Sequence, residues 1–193
     1  MKKLFFFPSL FVVSIVLFSC KKETLLNADP ATNNSSLYGR TGDGGGGTTT
    51  VVPNIVTAVA FAGQTINAGS ITVTNDSTNI YVTYNTANGY TLTQTHLFVG
   101  PVGMIPTNHP GNPMPGQFPY QTAHANITSF TYSVPVGLIG NYTTGAIAAH
   151  GIVEKLDANG HVIDQQSIWG NGPRINGAAN GNWAMYTPFS VQY

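Results

Sequence analysis

Five histidines, at 96, 109, 124, 150 and 161, together with Glu154, Asp157 and Asp164, are this chain's candidates for ligating a metal or exchanging a proton. None shows the close ligand spacing of a zinc motif, and the sequence carries no Gly-x-Ser-x-Gly, no HExxH and no phosphate-binding loop. His96 stands in YTLTQTHLFVG, where a period of two puts Tyr90, Leu92, His96 and Phe98 on one face and Thr91, Thr93, Thr95 and Leu97 on the other. His150 lies among Ala146, Ala148 and Ile152. This setting favours packed imidazoles bonded to backbone or hydroxyl groups, since inward polar side chains are as a rule satisfied, and no metal or cofactor is assigned. The alternative is a hydrolase or metal-dependent enzyme built on His96 and His150. It requires the two to meet across neighbouring strands with a third donor such as His124 or Glu154. A sealed core around both rings argues against such chemistry, and convergent nitrogens in an open pocket argue for it.

Aromatic residues on loops supply a second kind of site. Prolines 101, 106, 110, 113, 115 and 119 make the stretch after Gly100 a long stiff loop ending in Phe118 and Tyr120. Trp169 and Trp183 flank a glycine- and asparagine-rich loop from Gly170 to Gly181. Loops of a sandwich gather at the ends of its sheets, so Phe118, Tyr120 and Trp169 could stack on a sugar ring, with Asn171, Arg174, Asn176 and Asn180 supplying donors and acceptors. Trp183 reads as core.

The elements that must position these residues are short strands. Ile55 to Phe61, Ser70 to Thr74, Ile80 to Tyr84, the Tyr90 run, Thr128 to Val134, Gly145 to Leu156 and Val162 to Trp169 are apolar or alternating, and Phe189, Val191 and Tyr193 close the chain at strand spacing. Asn75-Asp76-Ser77 and Asn88-Gly89 are turns, and Asp157-Ala158-Asn159-Gly160 marks a hairpin that leaves His161 exposed. No stretch carries a helical stripe. The expectation is an all-β chain forming a single antiparallel β-sandwich, jelly-roll-like, over residues 54–193.

Residues 1–19 have the parts of a secretory signal: Lys2 and Lys3, the apolar run from Leu4 to Phe18, and a small residue, Ser19, before Cys20. The run is short for a spanning helix and is interrupted by Pro8. Cys20 is the sole cysteine, and Leu17-Phe18-Ser19-Cys20 resembles the lipobox of bacterial lipoproteins. That resemblance implies acylation of Cys20 and anchoring in a membrane of the cell envelope, the outer membrane being expected, with surface and periplasmic faces both open. Several acyl chains, at about 0.8 kcal/mol per buried methylene, hold a domain far more firmly than one. Residues 20–53, with Gly44 to Gly47 in a row and no period, read as a flexible tether.

Without the signal, five cationic side chains face seven anionic ones, a formal charge of −2. Charged residues are only 7% of the chain, which excludes a surface that tracks phosphates and so a nucleic-acid partner. Hydroxyls and amides suit a neutral partner, a glycan or an envelope protein. The segments AGQTI, ITVTND, IYVTY, THLFVG, NPMPGQFPY, AAH, WG and NWAMY together resemble an uncharacterised domain of secreted and surface proteins of bacteria and archaea. The resemblance covers nearly everything after Ala62 and implies an extracellular β module without implying a chemistry. That domain's pattern has a glutamate where this chain has Gln166. The reading is therefore a lipid-anchored binding or structural module, with an accessory subunit of an envelope assembly as a third class beside the enzyme. Limited proteolysis is expected to cut between Lys21 and Val52 and to leave a resistant fragment reaching the C terminus; early cleavage between Ser70 and Thr95 would contradict a single domain.

Overall fold

The structure, a computed structural model, describes residues 55–139, 144–176 and 182–191. The leader, Cys20, the tether, Asn54 and Asn180 lie outside the described residues. Nine strands follow in order: β1 (Val56–Ala62), β2 (Ile66–Asn75), β3 (Asn79–Thr86), β4 (Thr91–Gly100), β5 (Tyr120–Ile127), β6 (Ser129–Pro135), β7 (Gly145–Leu156), β8 (Val162–Gly170) and β9 (Thr187–Phe189). They form one antiparallel sheet in the order β5-β4-β7-β8-β1-β2-β3-β6, with β9 added beside β7. Helical turns among the described residues are short 3₁₀ pieces, at Val102–Met104, Pro115–Gln117 and Val136–Leu138 and again at Ile175 and Asn176.

The alternation that makes strands also makes the core. In β3, Ile80, Val82 and Tyr84 are fully buried while Tyr81 and Thr83 between them are half-buried. In β6, Phe130, Tyr132 and Val134 turn inward, and Thr131 and Ser133 face solvent. These faces meet Ile71, Val73, Leu92, Leu97, Val99, Ile147, Ile168 and Phe189 in one apolar cluster. Each such side chain stabilises the fold by about 1.5–3 kcal/mol relative to exposure. The sheet curls until it is nearly closed, and the Tyr84 hydroxyl donates across the interior to the His96 carbonyl at 3.0 Å. The all-β antiparallel sandwich expected from the sequence is thus present, its two layers being halves of one curled sheet.

The turns follow their sequences. Asp76 Oδ1 accepts the backbone N–H groups of Thr78 and Asn79, each at 2.7 Å, and Oδ2 accepts the Tyr81 hydroxyl at 2.7 Å. These donors hold the Asp76 carboxyl well below its ordinary range. Asp157 Oδ1 likewise takes the N–H groups of Asn159 and His161. Gly69, at φ +142, sits so close to β3 that a Cβ there would lie 1.9 Å from the Asn85 carbonyl oxygen.

Two features depart from the sequence reading. Tyr120–Ile127, taken as the end of the proline loop and its aftermath, is the edge strand β5; its sequence YQTAHANI has too few apolar residues to alternate visibly. Within β4 a register shift between Leu92 and Gln94 inserts a bulge against both β5 and β7. Parity flips there, so Leu92 is followed on the inner face by Thr95, Leu97 and Val99, and His96 and Phe98 move to the outer face, away from Tyr90 and Leu92.

The edges β5 and β6 meet through side chains instead of a backbone ladder. Tyr132 Oη lies 2.8 Å from Thr95 Oγ1, 3.0 Å from Thr122 Oγ1 and 3.2 Å from the Thr95 carbonyl oxygen. The Tyr120 and Phe130 rings pack on Tyr132 at 5.9 and 4.8 Å, and His124 packs on Phe130 at 4.5 Å. Replacing Tyr132 with Phe keeps the ring and removes the hydroxyl at this seam, and is expected to cost roughly 1–3 kcal/mol with the strand content unchanged. Urea unfolding followed by circular dichroism measures it, and an unchanged midpoint would show that the hydroxyl does not hold the seam.

Candidate functional site

The outer face of β4, β7 and β8 carries a second apolar cluster: Phe98, Ala146, Ala148 and Trp169 from the strands, Ile105 and Phe118 from the proline loop, and Ile175, Ala184 and Met185 from the chain beyond β8. The small residues of β7 make room for the loop rings. Phe118 stands edge-on to Trp169 at 6.2 Å and tilted against Phe98 at 6.2 Å. The proline loop is itself a small hairpin, bridged at Thr107 and Pro113, with Met114 N–H donating to the Pro106 carbonyl at 2.9 Å. Gly111, at φ +88, forms its tip, and Asn176 Nδ2 donates to the Gly111 carbonyl at 2.8 Å, tying the two loops together.

Beside this cluster, a row of register partners crosses five strands on the same face: Gln121, His96, His150, Trp169 and Phe61. His96 and His150 are direct partners, their Nδ1 atoms 3.1 Å apart and their rings end to end, with centroids 5.3 Å apart and planes 27° from parallel. The Trp169 ring closes the other side of His150 at 4.8 Å. His150 is only 8% exposed, while His96 is half-buried and walls an open depression of about 360 Å³ shared with Gln94, Gln121, Thr122 and Ala123. Burial, and secondarily the neighbouring His96, pushes His150 down to about 3; burial also lowers His96. Both rings are therefore neutral near pH 7, and an N···N contact between neutral rings requires that one Nδ1–H donate to the other's lone pair.

The residues singled out from the sequence fall into place unevenly. His96 and His150 do meet across neighbouring strands. His124 does not join them: it lies on the inner face with Nε2 2.8 Å from Thr95 Oγ1, and burial lowers its pKa. Glu154 is four residues farther along β7, about 13 Å at the rise of a strand, and accepts a hydrogen bond from Gln165 at 2.6 Å. Among the described residues no group of three or more His, Cys, Asp or Glu converges on a metal position. Phe118 is 1% and Trp169 5% exposed, so neither ring offers a free face, and both anchor loops. Tyr120 is Leu97's partner on the inner face and packs on Tyr132. Arg174 donates to the Asn182 carbonyl at 2.9 Å, within its own loop, and Asn171 is exposed. Gln94 and Gln121 went unnoticed in the sequence, because they became neighbours of His96 only through β5 and the β4 bulge. His161 is exposed, as its turn implied, and its Nδ1 lies 3.2 Å from Asp157 Oδ2.

Gln166 stands next to an acidic residue that is already engaged. Its Nε2 donates to Asp164 Oδ1 at 2.8 Å, while the Tyr90 hydroxyl donates to Asp164 Oδ2 at 2.6 Å, and these bonds hold the Asp164 carboxyl below its usual range. An amide at 166 can donate to Asp164, which an ionised glutamate cannot.

No protein family, curated protein or solved structure matched the chain.

The histidine pair has a pH signature. The unfolded chain takes up protons near the ordinary value of 6.5, which folded His150 refuses until about 3. Stability is thus complete above 6.5 and declines as the pH falls below it. Asp76, Asp157 and Asp164, lowered from 3.8, contribute their own loss only below about pH 5. The melting midpoint of the wild type is expected to drop between pH 6.5 and 5, and that of His150→Gln to drop less. Parallel curves would show that His150 is not excluded from protonation.

Proposed function

We propose that this is a lipid-anchored envelope protein, acylated at Cys20, whose β-sandwich acts as a binding or structural module toward a neutral partner, a glycan or another envelope protein. Leu17-Phe18-Ser19-Cys20, directly after an apolar run, supports the anchor. The observation that carries the binding role is that the proline loop is fastened to one sheet face by buried Ile105 and Phe118 and the chain after β8 by buried Ile175, Ala184 and Met185, the two being tied to each other at Asn176 and Gly111. The described positions on the outside of these loops are thereby ordered before a partner arrives, which lowers the entropy lost on association. With Phe118 and Trp169 committed to that packing, the contact role passes to the exposed Met104 (69%), Val102, Thr107, Asn108 and Asn171. A surface with so few charges gains little from long-range attraction, so binding should hardly change with added salt.

Cys20→Ser is expected to move the protein from the detergent-extracted to the aqueous fraction of cells and to abolish labelling by a fatty-acid probe. Wild-type protein that washes off without detergent would overturn the anchor. For the module, glycan and envelope-protein screens of the full chain should yield a ligand whose binding is weakened by Met104→Ala or Asn171→Ala. Binding that survives both unchanged, or vanishes in moderate salt, places the contact elsewhere or makes it ionic.

A further inference from the structure

We propose that the Nδ1 atoms of His96 and His150 form a chelating site for a borderline divalent transition ion, copper(II), nickel(II) or zinc(II), on the outer face of the sheet. The two nitrogens are 3.1 Å apart. An ion about 2.0–2.1 Å from each subtends an angle of about 98°, between the square-planar and tetrahedral values these ions adopt. Strand pairing holds the two side chains opposite each other, because His96 and His150 are register partners in the interior of the longest ladder in the sheet.

Ion binding balances without loss of a proton. In the free protein one Nδ1–H is shared with the opposite Nδ1; when the ion enters, the donor ring's proton leaves Nδ1 and a proton is taken up at its Nε2 through water. Both Nδ1 lone pairs then face the ion, and both rings stay neutral. Entry is from the His96 side, since Trp169 covers His150. The open depression there accommodates water ligands; Gln121, His96's partner on β5, is held beside it by its Nε2, which donates to the Gly116 and Phe118 carbonyls at 2.9 Å each and leaves the amide oxygen as a donor to the ion. Two imidazoles with amide or water oxygens suit copper, nickel and zinc and give calcium and magnesium, which require several oxygen ligands, nothing to prefer. With His124 and Glu154 elsewhere, the ion keeps coordination positions open to an external donor.

The test uses the full chain with Cys20→Ser, so that no unacylated thiol competes, titrated separately with copper(II), zinc(II) and calcium(II) by calorimetry and tryptophan fluorescence. Copper and zinc should bind saturably at one ion per chain and calcium should not. Copper should quench fluorescence, because the Trp169 ring is 4.8 Å from His150. His96→Gln, at a half-exposed position, should keep the strand signal and weaken binding at least about tenfold, the loss typical of disturbing a metal's ligands. His109→Ala with His161→Ala should leave binding intact. Unaltered affinity in His96→Gln, loss of binding in the His109 and His161 double variant, or no saturation with copper would each overturn the site.

Discussion

A single extra residue in β4 decides which side chains this protein keeps inside and which it presents. Before the bulge, Leu92 faces the interior; after it, Thr95, Leu97 and Val99 do. Without the bulge the inward set would be Gln94, His96 and Phe98, which would turn an amide and an imidazole into the apolar interior and take Leu97 and Val99 out of it. Hydrophobic burial forces the irregularity. Its by-product is the outer row in which His96 faces His150 and the two rings satisfy each other.

The outer face then needed its own cover. Phe98 and Trp169 are too large to leave in solvent, and the alanines of β7 leave hollows that Phe118 and Ile105 fill. The proline loop is long for a connection, and it persists because Ile105 and Phe118 are buried and its backbone groups bond within it, as between Asn108 N–H and the Asn112 carbonyl at 2.9 Å. The same packing that makes the loops rigid removes their aromatic faces from recognition. A stacking site and a loop anchor compete for the same rings, and here anchoring prevails.

Much of the scaffold was legible in the sequence. Ile80, Val82 and Tyr84 alternate openly, and Asn88-Gly89 and Asp157 to Gly160 carry turn chemistry that local sequence dictates. What was illegible depended on distant partners. β5 carries polar residues on both faces, and its inner ones, Thr122 and His124, are accepted only because Tyr132 and Thr95 meet them. The β4 bulge leaves no mark in YTLTQTHLFVG, where two registers give plausible faces and only the partner strands choose. The strand positions of His96 and His150 allow the two to meet, but the residues beside them, Gln94 and Gln121, belong to the bulged β4 and to β5, whose geometry depends on distant partners. Sandwich geometry led to the expectation that the two loops meet at the ends of the sheets; they do meet, but over the outer face of β4, β7 and β8, where Phe118 and Trp169 are buried between loop and sheet.

The sheet stops short of complete closure, so β5 and β6 each keep one rim without a strand partner among the described residues. Such rims invite identical molecules to zip together when crowded. Here the invitation is brief: Asn126, at φ +55, breaks the run of β5, and Pro135 ends β6 with a residue that has no N–H to offer. Ser129, Thr131 and Ser133 keep the outer side of β6 wet. Molecules packed densely side by side would therefore find only short templates on their neighbours.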